Sequence, residues 1–115
     1  MFGLGKNNKN NIKALAANEL INKYISNLEF VILDVRSIEE YNESHIDGAK
    51  NIDINSRMFK LEVDKLNKNK KYLVYCRSGH RSSNAVKIML KLGFTDIHNL
   101  SGGIRKWKRE GLPLV

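Results

Sequence analysis

Residues 71–82 read KYLVYCRSGHRS and contain the chain's only cysteine, Cys76. Residues 72–75 form a short apolar run typical of a buried strand. Two arginines and a glycine follow the cysteine, and farther on apolar residues recur at helical spacing. This order predicts a strand, a short loop and a helix, with Cys76 at the carboxyl end of the strand.

Strands and helices are predicted to alternate along the chain on both sides of this segment. Short apolar runs predict strands near residues 12–15, 30–33, 49–54, 72–75 and 96–99. Apolar spacing and capping residues predict helices at 20–25, from Ser37 onward, at 56–66, from Ser82 or Ser83 to Gly93, and around 104–107. Such alternation predicts an α/β fold, a three-layer sandwich with a mostly parallel five-stranded sheet and helices on both faces.

Length and composition indicate one folded domain. The chain has 115 residues, 42% of them apolar and one of them proline, which is enough for a hydrophobic core. Residues 1–11 are rich in Gly, Asn and Lys and are predicted to be a flexible N-terminal segment before a domain at 12–115. A single cysteine, no signal-peptide pattern and no apolar run of about 20 residues predict a cytoplasmic protein that does not cross a membrane.

The net charge of +8 raises the question of a nucleic-acid partner. Fourteen of the twenty basic residues are lysines, which are scattered among asparagines. No patch combines aromatic residues with arginines, as binding to unpaired bases requires. We therefore expect no nucleic-acid partner, although the charge can attract small anions.

The loop after Cys76 has the residues that activate a thiol. A strand-to-helix loop can turn successive N–H groups inward, and the helix N-terminus adds its positive dipole end. Arg77 and Arg81 add permanent charge, and Gly79 allows the loop to curl. These features predict a lowered pKa for Cys76 and an anion held against its sulfur.

Two other interpretations of the cysteine are weaker. An inert, buried strand cysteine is the commoner fate of this residue type, but the arginines, glycine and serine that follow it favour a reactive site. A metal site is disfavoured because His45, His80 and His98 have no ligand spacing with one another or with a second cysteine.

The chain resembles the single-domain rhodanese (thiosulfate sulfurtransferase-like) family over residues 12–115. One segment resembles the N-terminal signature of that family, a second its active-site loop and a third its closing segment. Any one of them is a weak signal, but three in order at these separations are specific. They are residues 31–36 with 40–41 and 45–52, residues 76–82, and residues 100–103 with Trp107.

The resemblance implies an enzyme that moves a sulfane sulfur from thiosulfate or a similar anion to a thiol, cyanide or protein acceptor. Cys76 would carry the sulfur as a persulfide, without a cofactor or metal. We expect a monomer or weak dimer. The implied substrate-binding residues are those of the loop, Arg77, Ser78, Gly79, His80, Arg81 and Ser82.

Two alternatives to this enzyme remain open. A persulfide carrier or redox-sensing module needs the same reactive loop. A phosphatase or arsenate reductase is disfavoured because related phosphatases place five residues between cysteine and arginine, whereas four separate Cys76 from Arg81.

Four further residues invite a role. Asp34 and Arg36 are interpreted as structural. Arg36 could pair with Glu40, but Glu40 is also the predicted partner of Ser37 in a capping box at the start of the helix. His45 is interpreted as a structural histidine, and His80 as a possible selector of the acceptor. Ser44 and Asp53 replace a glycine and a proline that are frequent in the family, which puts only the local turn geometry in question.

Overall fold

The computed structural model describes residues 10–24 and 26–115. Five strands alternate with five helices in this part of the chain. The strands are β1 (Asn11–Ile12), β2 (Phe30–Asp34), β3 (Lys50–Asn51), β4 (Lys71–Tyr75) and β5 (Asp96–Leu100). The helices are α1 (Ala14–Lys23), α2 (Ile38–Glu43), α3 (Phe59–Asp64), α4 (His80–Lys91) and α5 (Gly103–Arg109).

The strands form one parallel sheet in the order β1-β5-β4-β2-β3. In the central strand β4, Tyr75 lies opposite Asp34 of β2, and Val74 lies opposite Asn99 of β5. The carboxyl ends of these three strands therefore lie together at one edge, where Cys76 follows β4. The predicted five-stranded parallel sheet is confirmed.

Two apolar cores, one on each face of the sheet, produce the three layers. Successive residues of a strand point to opposite faces, so Leu73 and Val74 enter different cores. One core holds Phe59 of α3 and Met89 of α4, and the other holds Trp107 of α5. Helices thus cover both faces, as predicted. In the described part of the chain, no helix combines the length and apolarity that a bilayer crossing requires.

The first helix begins earlier than the sequence predicts. A strand was expected over residues 12–15, but β1 ends at Ile12 and α1 begins at Ala14. Ala14 and Ala17, one helical turn apart, are buried against the sheet. Alanine is the strongest helix former, and its small side chain allows this close packing. The predicted helical residue Ile25 and the predicted flexible residues 1–9 lie outside the described residues.

Three other predicted boundaries were too wide or displaced. The strand expected at 49–54 is limited to Lys50–Asn51, and the helix expected at 56–66 covers Phe59–Asp64. Helix α4 begins at His80, so Ser82 and Ser83 do not cap it. Its N-cap is a glycine without a side-chain cap, and the Ser82 hydroxyl bonds inside the site described below.

The start of α5 packs directly beneath the loop that follows β4. The N–H of Ile104 donates to the carbonyl of Cys76, and the N–H of Arg105 donates to the carbonyl of Arg77, each at 3.0 Å. Gly103 makes this approach possible, because its φ is +61° and a Cβ there would lie 2.6 Å from the Cys76 carbonyl oxygen. A side chain at Gly103 would therefore push the loop away.

Gly103→Ala is expected to lower the free energy of unfolding by about 3 kcal/mol, since it combines a positive φ with a backbone clash. Gly111→Ala is the matched control, because Gly111 has a φ of +74° and a Cβ added there would meet no heavy atom within 4 Å. The control should lose about 1 kcal/mol. Urea denaturation measures both, and equal losses would show that the close approach is unimportant.

Candidate active site

Cys76 lies where β4 ends, below a loop of three residues that leads into α4. Its side chain is buried, with the residue 1% exposed. Gly79 has a φ of +103°, and a Cβ there would lie 3.3 Å from the backbone N of Gly102. The loop can therefore curl over the sulfur only with glycine at this position.

Hydrogen bonds converge on the sulfur from the loop and from the first turn of α4. The N–H of Gly79 donates to Sγ at 3.1 Å, and the Ser82 hydroxyl lies 3.3 Å from it. Burial by itself raises the pKa of Cys76. Hydrogen bonds from the Ser82 hydroxyl and from the backbone N–H groups of Ser82, Gly79 and Ser78 outweigh burial and lower the pKa below its usual value. The site therefore favours the nucleophilic thiolate.

Arg81 is paired with a carboxylate. Its Nη1 and Nη2 donate to the two carboxylate oxygens of Glu40 at 2.8 and 2.9 Å. These bonds lower the pKa of Glu40 to about 2. Glu40 also completes the capping box with Ser37 that the sequence predicts. The positive charge of Arg81 is therefore largely balanced before any anion arrives.

Arg77 has the opposite arrangement. It is exposed, and it lines a groove of about 260 Å³ that also contains Arg105 and Lys108. In the described part of the chain these three cations make no ion pair. Two carboxylates line the same groove. Glu40 is paired with Arg81, and Glu43 makes no ion pair with any described residue. Arg77 and the two cations of α5 thus give this groove an excess of positive charge.

Asp34 and Arg36 form a buried ion pair at the end of β2. The guanidinium Nη2 lies 2.6 Å from one Asp34 oxygen and donates to the Ser44 carbonyl at 2.7 Å. Both residues are at most 4% exposed. The alternative pairing of Arg36 with Glu40 is not formed. The pair instead ties the end of β2 to the segment after α2, which is a structural arrangement.

The three histidines do not come together. His45 stacks on Tyr41, with 3.8 Å between ring centroids, and its Nδ1 lies 2.8 Å from the Tyr41 carbonyl. His98 bonds to Asp96, and His80 is the exposed first residue of α4. Among the described residues, no group of three His, Cys, Asp or Glu side chains could hold a metal ion.

Sequence reasoning missed two contributors to the site. Glu40 is 41 positions from Arg81, and nothing local in the sequence relates them. Asn99, at the end of β5, bonds to the Ser82 hydroxyl. Its position at the carboxyl end of a predicted strand was the available signal, because side chains there meet at one sheet edge.

Glu40→Gln is expected to lower the free energy of unfolding by about 1–2 kcal/mol at pH 7, because the pair with Arg81 is only partly exposed. Glutamine keeps the capping oxygen but removes the charge and one of the two acceptors for Arg81. The unfolded carboxyl has a pKa of about 4.3, and the folded one about 2. The stabilisation is therefore present above about pH 5 and lost as the pH falls toward 2.

Urea denaturation between pH 7 and pH 3 measures this difference. Glu39→Gln, an equal charge change at an exposed neighbour without an ion pair, should have little effect. A difference between Glu40→Gln and the wild type that stays constant down to pH 3 would contradict the account.

Comparison with known proteins shows the family of the chain. Residues 16–110 match the sequence profile of the Rhodanese-like domain. The chain is 34% identical over 100 residues to the Bacillus subtilis protein YrkF, provisionally named a sulfur carrier protein, covering 87% of this chain and 53% of YrkF. It is 31% identical over 98 residues to a sulfurtransferase of Allochromatium vinosum, covering 84% of this chain and 90% of that protein.

The chain thus spans about half the length of YrkF but most of the sulfurtransferase. A crystal structure of a rhodanese-related protein from Thermoplasma volcanium superimposes with a TM-score of 0.76 and 34% identity, covering 91% of this chain and 96% of that one. The resemblance inferred from three sequence segments is confirmed, and the chain belongs to the rhodanese-like domain family.

Proposed function

We propose that this protein is a sulfurtransferase that moves a sulfane sulfur from thiosulfate or a similar anionic donor to a nucleophilic acceptor through a Cys76 persulfide. The observation that carries the proposal is the set of hydrogen bonds that Gly79 and Ser82 direct at the Cys76 sulfur. They stabilise negative charge on that sulfur, which both the attacking thiolate and the persulfide require.

The proposed transfer has two displacement steps. The Cys76 thiolate attacks the outer sulfur of thiosulfate, a new S–S bond forms, and the S–S bond of the donor breaks with its electron pair leaving on sulfite. A cyanide ion or an acceptor thiolate then attacks the terminal sulfur of the persulfide. The Cys76 S–S bond breaks, and its electron pair restores the thiolate.

The loop residues have distinct roles in this proposal. Backbone N–H groups of Ser78, Gly79 and Ser82 stabilise the charged sulfur. Arg77, which makes no ion pair with any described residue, attracts the anionic donor, and His80 is exposed at the start of α4. We assign Arg81 mainly to holding the loop in place, because its Nη1 and Nη2 both donate to the Glu40 carboxylate.

A persulfide carrier is the second candidate. The name of YrkF supports it, and the burial of Cys76 supports it as well. A sulfur held under a loop is protected from solvent thiols until a partner approaches. The carrier differs from the enzyme in turnover and not in the reactive residue.

Cys76→Ser is expected to abolish thiocyanate formation from thiosulfate and cyanide, because the chain has no second cysteine to carry sulfur. The measurement is the initial rate for wild type and variant, together with the intact mass after exposure to the donor. Turnover that is lost in the variant supports the enzyme. A persulfide without turnover favours the carrier, and turnover that survives the substitution would contradict both.

Arg77→Ala is expected to raise the KM for thiosulfate about tenfold, because a charge-assisted contact to an anion contributes about 1.5 kcal/mol. The difference should shrink as salt screens the exposed charge. Lys91→Ala is the matched control, since it removes the same charge at the far end of α4, 11 residues from His80. An equal rise in KM for Lys91→Ala would show that only net charge matters.

A further inference from the structure

The Ser82 hydroxyl lies between two hydrogen-bond acceptors. Its Oγ is 2.5 Å from Oδ1 of Asn99 and 3.3 Å from Sγ of Cys76. A serine hydroxyl has one proton to donate. All three residues are buried, with Ser82 0%, Cys76 1% and Asn99 5% exposed. The proton can therefore serve the amide oxygen or the sulfur, but not both.

The orientation of the Asn99 amide follows from its other contacts. Nδ2 donates to Oδ1 of Asn11 at 3.1 Å and to the Gly79 carbonyl at 3.4 Å. Turning the amide over would place Oδ1 against the Gly79 carbonyl oxygen, two acceptors with no proton between them. The Asn99 oxygen therefore faces Ser82, and it accepts the shorter of the two possible hydrogen bonds.

The two protonation states of Cys76 use this hydroxyl differently. In the thiol, the S–H can donate to Ser82 Oγ while Ser82 donates to Asn99 Oδ1, so that each proton has an acceptor. In the thiolate, whose proton has passed to solvent, the hydroxyl can donate to the charged sulfur only by leaving Asn99 Oδ1 without its proton. Each protonation state of Cys76 therefore lacks one buried hydrogen bond. The thiol lacks the bond from Ser82 to the sulfur, and the thiolate lacks the bond from Ser82 to Asn99.

We propose that Asn99 is a positioning residue that sets the reactivity of Cys76 by competing with its sulfur for the Ser82 proton. The competition stabilises the resting thiol. It deepens the proposed function and rests on it only in taking Cys76 as the nucleophile.

The charged groups near the sulfur do not dominate its protonation, so the hydrogen bonds of Ser82 and Asn99 can influence it. Arg81 on α4 acts electrostatically on Cys76 but is paired with Glu40 on α2. At the end of β2, Asp34 and Arg36 pair with each other. The remaining charged or titratable neighbours in the loop are Arg77, which points into the groove, and His80, which is exposed.

Asn99→Leu is the test, because leucine has the same branched shape with four heavy atoms and no acceptor. The ultraviolet absorbance of the thiolate is titrated against pH, with Cys76→Ser as the baseline. We expect the Asn99→Leu midpoint to fall by about half to one pH unit, the equivalent of one neutral hydrogen bond released to the sulfur. Ser82→Ala should raise the midpoint. In the Ser82→Ala background, Asn99→Leu should have no effect.

A shift to higher pH, no shift, or an equal shift in the Ser82→Ala background would overturn the proposal. If Asn99→Leu does not fold, Asn99→Asp serves instead. Aspartate keeps the acceptor and adds charge, so the midpoint should rise, by more in the presence of Ser82 than in its absence. The titration needs no sulfur donor, so its outcome is independent of whether thiocyanate is formed.

Discussion

The site depends on the contact between the loop after β4 and the first turn of α5. The carbonyls of Cys76 and Arg77 accept hydrogen bonds from Ile104 and Arg105, which satisfies these two groups and holds the loop against the sheet edge. Because the carbonyls of Cys76 and Arg77 point toward α5, N–H groups of the loop can point toward the sulfur. The closing segment that contains Gly103 therefore shapes the reactive site without contributing a reactive side chain.

Some charged side chains of the site are paired with an opposite charge, and others are not. Glu40 neutralises Arg81, whereas Arg77 and the basic side chains of α5 make no ion pair with any described residue. Hydrogen bonds, which act at contact distance, stabilise the sulfur. Free cations at the groove act at longer range and suit the capture of an anion. In the proposed reaction, activation of Cys76 and attraction of the donor would thus rest on different residues.

Local patterns in the sequence predicted most of the fold and the position of Cys76 at the end of β4. The apolar run of β4 and the capping box at Ser37 are such patterns, because their residues act on near neighbours. The partners of Ser82 and Arg81 could not be predicted in this way. Ser82 matched the pattern of a helix cap, but the helix starts earlier and its hydroxyl faces Cys76 and Asn99. The contacts of Ser82 and of Arg81 depend on the ends of β2, β4 and β5 lying together at one edge of the sheet.

The proposed function requires that Cys76 accepts a sulfur atom and holds it as a persulfide beneath the loop. Intact-mass measurement after incubation with thiosulfate and removal of excess donor tests it most directly. We expect a mass increase of one sulfur atom, located on the peptide containing Cys76 and reversed by cyanide. An unchanged mass, under conditions in which Cys76 is readily alkylated, would contradict it.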